Sequence, residues 1–130
     1  MLYPILIEPG SADTAFGVVV PDLPGCFSAG DTLDEAVAAA REAAAAWIDA
    51  ALDDGEPIPP ASSLDVVQRL PDYAGWTVGV IDLDEALADD TIERVNITLP
   101  KRVLRRLDDL AHAKGKSRSA FIADLTRSAR

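Results

Sequence analysis

Arg94, Asn96 and Thr98 occupy alternate positions of a six-residue stretch whose other members, Val95, Ile97 and Leu99, are apolar. A period of two puts one set on each face of a β-strand, giving the segment a side to bury and a side to present. Side chains of these types can read base edges. A guanidinium suits guanine and a carboxamide suits adenine, each good bidentate contact being worth about 1–3 kcal/mol of discrimination. The plain alternative is that Asn96 and Thr98 are only the wet face of a half-buried strand.

The elements that follow would position this strand. Pro100 cannot continue a ladder but suits the first turn of a helix, and Val103, Leu104, Leu107, Leu110 and Ala111 then recur at helical spacing. Gly115 stops that helix, and Ser117 is the N-cap of a second one with Phe121, Ile122 and Leu125 on its apolar face. Residues 92–130 number 39, near the roughly 40 residues below which a chain seldom builds its own core without a metal, a disulfide or a partner. No metal-ligand spacing is present and the single cysteine, Cys26, lies elsewhere, so a partner is the available route. A lone strand must also pair its backbone groups, and a second copy supplies a two-stranded antiparallel ribbon. Such a ribbon fits the major groove of B-DNA and would present Arg94, Asn96 and Thr98 twice.

Residues 94–125, in the order strand, proline, helix, glycine, serine, helix, resemble a ribbon-helix-helix domain. That resemblance implies that Arg94, Asn96 and Thr98 read bases and that Ser117, Arg118 and Ser119 hold a phosphate. Free N–H groups and the helix dipole at such a terminus favour an anion independently of any family. The expected dimer core is Val95, Ile97, Leu99, Leu107, Phe121 and Ile122.

Charge divides the chain. From residue 92 onward ten Lys or Arg stand against four acids, whereas residues 1–91 hold two bases, Arg41 and Arg69, against eighteen acids. A basic domain of this size suits a polyanion; an acidic one suits a basic partner or, more blandly, water. At 130 residues the chain makes one or two small domains. No apolar run approaches the roughly 20 residues of a membrane span, no basic-then-apolar leader opens the chain, and one cysteine fits a reducing compartment. The expectation is a cytoplasmic protein without a cofactor, with Cys26 as a small core residue.

In the first part, Leu2 to Glu8 and Phe16 to Val20 read as a hairpin around the turn chemistry of Pro9-Gly10-Ser11-Ala12-Asp13. Pro21-Asp22-Leu23-Pro24-Gly25 is a rigid turn before a short strand, Cys26 to Ala29. Thr32 with Glu35 forms a capping box for a helix whose face carries Leu33, Ala36, Val37, Ala40, Ala44, Trp47, Ile48 and Ala51, ending near Gly55. Glu56 to Pro60 cannot stay helical. Trp76 to Leu83 is a further strand in which Trp76, Val78 and Val80 alternate against Thr77 and Gly79. The predicted class is α+β: β-β-β-α-β with one helix across a sheet in 1–83, a linker or short helical turn at 84–91, and the β-α-α module at 92–130.

The stretch Pro21-Asp22-Leu23-Pro24-Gly25-Cys26-Phe27, the helix start Gly30 to Ala36 and the Trp47 helix, followed by the ribbon-helix-helix pattern, resemble the HicB antitoxins. The resemblance implies a truncated ribonuclease-H-like N-terminal domain that masks a HicA-type mRNA-cleaving toxin, and a C-terminal domain that binds the operon's own promoter. It gives no toxin-contacting residues and leaves dimer against tetramer open. A nuclease reading fares poorly. Two-metal cleavage needs converging carboxylates, and the first strand, Leu2 to Ile7, holds none before Glu8. Asp22, Asp31 and Asp34 fall near turns and a helix start, where capping and solvation explain them. His112 falls on an outer helix face, and Trp47 and Trp76 sit on apolar faces, as core residues do.

Two functions from different classes therefore stand: an antitoxin that also represses its own operon, and a stand-alone ribbon-helix-helix regulator whose first domain senses a ligand or mediates assembly. An adjoining reading frame of well under about a hundred residues, basic and bearing a candidate catalytic histidine, would separate them.

Overall fold

Strand β1 (Leu2–Glu8) takes the centre of a sheet because it is apolar on both faces: Tyr3, Pro4, Ile5 and Leu6 are all buried. It pairs antiparallel with β2 (Phe16–Val19), from Leu6 opposite Val19 to Glu8 opposite Gly17. On its other side it pairs antiparallel with β4 (Thr77–Asp82), from Leu2 opposite Asp82 to Ile7 opposite Thr77. Strand β3 (Phe27–Gly30) pairs with β2, giving the order β3-β2-β1-β4. The β2 ladder covers only Leu6–Glu8, so Pro4 falls where β1 has one neighbour, a position that tolerates a residue without an N–H. A computed structural model describes residues 1–129, and the chain divides into two compact units after Asp90.

Helix α1 (Leu33–Asp53) crosses one face of this sheet. Its inward residues Ala36, Ala40, Ala44 and Ile48 recur every four positions and pack with Tyr3, Ile5, Val18, Val20, Ile81 and Leu83 in one buried core. Thr32 Oγ1 accepts from the Glu35 N–H at 3.1 Å, and Glu35 Oε2 reaches back to the Asp31 N–H at 3.1 Å, one residue before the cap. At the other end the N–H groups of Gly55 and Glu56 bond to the Leu52 and Ala51 carbonyls, with Gly55 at φ +73°. This is the left-handed termination that glycine makes inexpensive.

Two expectations need correction here. The inward face of β4 carries Ile81, and Leu83 follows it in the same phase, whereas Val80 is exposed. The alternation of Trp76, Val78 and Val80 is therefore that of the opposite face. That face is also covered, by a second short helix α2 (Leu64–Gln68), capped by Ser63 and packed on β1 and β4, with Val67 and Leu6 buried. A sheet with helices on both sides lets apolar residues fall on either phase of its strands, so periodicity alone could not choose.

Four long-range bonds fasten the proline-rich connections. Tyr3 Oη donates to the Pro59 carbonyl at 2.6 Å, Trp47 Nε1 to the Pro24 carbonyl at 2.9 Å, and Asp22 accepts from both the N–H and the hydroxyl of Ser62. Asp22 thus ties two turns together. Residues expected as a linker include a one-turn 3₁₀ helix, Glu85–Ala88, capped by Asp84 and in contact with α1.

The second unit holds helices α3 (Lys101–Ala113) and α4 (Arg118–Ser128). No helix among the described residues is long and apolar enough to cross a membrane.

Sheet and helix approach closely at Gly30. A Cβ there would stand 2.5 Å from the Ala36 nitrogen and 2.8 Å from the Glu35 carbonyl carbon, both backbone atoms. Gly30→Ala should therefore destabilise the first unit by about 1–3 kcal/mol, the usual cost of overpacking, read as a lowered urea midpoint at unchanged slope.

Candidate nucleic-acid interface

Helix α3 packs against α4 through a small apolar seam in which Ala111 and Phe121 are buried. The turn between them is fixed by Gly115, at φ +65°, whose N–H bonds the His112 carbonyl while the Lys116 N–H bonds that of Ala111, both at 2.9 Å. Ser117 then caps α4, its hydroxyl oxygen accepting from the Ala120 N–H at 3.1 Å. The capping oxygen is engaged while its proton remains available to donate. The first backbone N–H groups of α4 have no partner inside the helix, which makes this terminus electropositive.

Residues 91–100 form no strand within the single chain. The physical reason is the pairing requirement: a ladder needs a second strand, and the described residues of this unit contain none. Arg94, Asn96 and Thr98 are exposed, as expected for readers, but so are the apolar members, Val95 at 71% and Ile97 at 61%. Leu99, Leu107 and Ile122 are half-buried, and Phe121 is covered by the unit itself. A groove of about 560 Å³ lies between the extended segment and the start of α4, lined by Val95, Asn96, Ile97, Arg118, Ser119 and Ile122 among others. It brings one expected reader, Asn96, beside two of the three expected phosphate ligands. Ser117, the third, stands next to them as the cap.

Arg118 is not free in solvent. Its Nε donates to Asp108 Oδ1 at 2.8 Å and its Nη2 to Oδ2 at 3.0 Å, a side-on pair bridging α4 to α3. The second amino group, Nη1, is outside this pair. Asp108 is the residue that sequence reasoning missed. Its signal is an acid on a helix bearing Lys101, Arg102, Arg105 and Arg106, ten positions before another arginine. Lys116 pairs with Asp124, which Arg127 also approaches at 3.6 Å. His112 is exposed, and no group of three metal-ligating side chains occurs among the described residues.

Comparison with known proteins adds to this geometry. The chain matches the family described as the HicB-like antitoxin of bacterial toxin-antitoxin systems over residues 3–126. It is 40% identical, over 96% of its length and 94% of the relative's, to an uncharacterized 14.9 kDa protein from the rep-hol intergenic region of Haemophilus phage HP1. The crystal structure of the Burkholderia pseudomallei antitoxin HicB is similar at TM-score 0.62 and 29% identity, covering 98% of this chain and 97% of that one. A HicA3 and HicB3 toxin-antitoxin complex contains a chain similar at TM-score 0.54 and 32% identity, covering 65% of this chain and 99% of that one.

The bridge between α3 and α4 has a titration signature. Hydrogen bonding to Arg118, helped by its charge and opposed by partial desolvation, holds the Asp108 carboxyl below the usual carboxylate range. A depressed folded-state value means the tie is fully present above the ordinary aspartate range and is lost as pH falls through the lowered one. Carbon-13 NMR should find the Asp108 midpoint below that of free aspartate, and Arg118→Ala should return it upward.

Proposed function

Because the chain belongs to the HicB-like antitoxins of bacterial toxin-antitoxin systems, we propose that it masks a HicA-type toxin with its first unit and represses its own operon with its second. The observation that carries this reading is the separation of charge: eighteen acids against two bases in residues 1–90, four acids against ten bases in 91–130. A protein that meets both a cationic partner and a polyanion needs the two signs on different surfaces.

On this reading the first unit is a truncated ribonuclease-H-like domain that acts by binding, in the cytoplasm, without a cofactor or catalysis. The toxin is assigned to residues 1–83, the acidic part of the chain, whose charge suits a basic partner. The second unit, 92–130, is a ribbon-helix-helix module. Two copies pair their 94–99 segments antiparallel, burying Val95, Ile97 and Leu99 with Leu107 and Ile122 at the shared core, onto which Phe121 abuts. The exposure of Val95 and Ile97 in the single chain supports such a partner. Arg94, Asn96 and Thr98 then line a ribbon that enters the major groove. A backbone phosphate is held at the start of α4 by the Ser117 hydroxyl, Ser119 and Arg118 Nη1, while the bond to Asp108 steadies the guanidinium.

Co-expression of the chain with any small basic reading frame adjoining its gene should yield a co-purifying complex, and the homodimer should shift its own promoter fragment in a gel. Arg94→Ala should weaken promoter binding by at least about tenfold, since the lost contact occurs in both arms, and leave the toxin complex intact. Equal loss of both activities would show that they are not divided between the units. Promoter affinity should also fall steeply between low and moderate salt, because phosphate contacts release counterions. Promoter binding without any co-purifying partner would favour the stand-alone regulator.

A further inference from the structure

The first unit carries a groove of about 440 Å³ at the carboxyl end of α1. Pro24 and Trp47 line it with Pro57 and Pro59, together with Ala50 and Ala51 of α1. Each of these surfaces is already held in place: the Trp47 indole is bonded to the Pro24 carbonyl, Tyr3 to the Pro59 carbonyl, and Asp22 to Ser62 just beyond. A ligand entering here would find a formed site and would lose little affinity to ordering it.

Two more lining residues, Asp54 and Glu56, give the groove an acidic end. Their position runs against local stability. A helix carboxyl terminus favours cations, yet the last turn of α1 contains no basic residue, its C-cap is Asp54, and Glu56 follows two positions later. The unit offers little internal relief, because Arg41 and Arg69 are its only bases. Departures from a local rule tend to fall where function demands them. An apolar trough ending in two carboxylates at a helix carboxyl terminus is complementary to an apolar side chain with a lysine or arginine beside it.

We propose that this groove is the seat for the masked toxin, receiving an apolar side chain between Trp47 and the prolines while a neighbouring basic side chain caps α1 through Asp54 and Glu56. The assignment rests on the antitoxin reading above and adds a surface to it. The groove supplies a buried anchor and the carboxylates supply orientation, so affinity is concentrated in a few contacts.

The test uses the full-length chain, the co-purifying toxin in an inactivated form, and two variants in exposed positions. Ala50→Arg fills the groove from its helical floor. The double variant Asp54→Lys, Glu56→Lys reverses the charge at its end. Each should weaken toxin binding by at least about tenfold in titration calorimetry, with the circular dichroism spectrum and the promoter shift unchanged. Normal toxin affinity in both variants would overturn the groove assignment while leaving the antitoxin reading standing. Failure of the wild-type chain to bind the toxin would remove that reading and the groove with it. A change of oligomeric state with toxin affinity intact would make a second copy of this chain the occupant, and would likewise overturn the proposal. Should Ala50→Arg fail to fold, the charge-reversal pair decides alone.

Discussion

The closeness of α1 to the sheet governs the first unit. Three of the four inward positions at its centre are alanines, Ala36, Ala40 and Ala44, and Gly30 admits the backbone of the helix start without a Cβ in between. Short side chains on the helix leave the volume of the core to the sheet side, where Tyr3, Ile5, Val18 and Ile81 of the strands and Val20 just after β2 fill it. Among the fully buried helix positions a larger residue, Ile48, enters past Ala44, while Trp47 points toward the proline turns. The same geometry thus sets the core at one end and builds the proline-walled groove at the other.

The second unit obeys a different constraint. Its two helices bury one alanine and one phenylalanine, too little apolar surface to rely on alone, and its extended segment leaves both faces in water. A unit with so small a core and an unpaired apolar segment has the surface that association would cover. On the proposed reading, fold and partnership would then be one equilibrium, the second unit completing its core only as copies meet.

Much of this was legible in the residues. The first strand matches its expected bounds, Leu2–Glu8, because turn chemistry brackets an apolar run, and α1 starts at its expected cap because Thr32 and Glu35 have few other places to bond. Strand β4 was located but turned over, since Val78 and Val80 are as apolar as Ile81 and the helix on their side of the sheet, α2, is five residues long behind a proline-rich loop. A helix that short has no periodicity to detect. In the candidate interface, the alternation at 94–99 and the cap at Ser117 could be read from spacing, whereas the Arg118 to Asp108 pair joins two helices across a turn and leaves no mark in local pattern. Asp22 was likewise read as a solvated turn residue, because its partner, Ser62, lies forty positions away.

The indole of Trp47 has a further use. Proline contributes no amide proton, so the walls formed by Pro24, Pro57 and Pro59 are silent in backbone spectra and in amide exchange. The indole proton shared with the Pro24 carbonyl is a built-in observer at that place. Its resonance frequency and its rate of exchange with solvent report whether the wall is standing, with no label or substitution introduced.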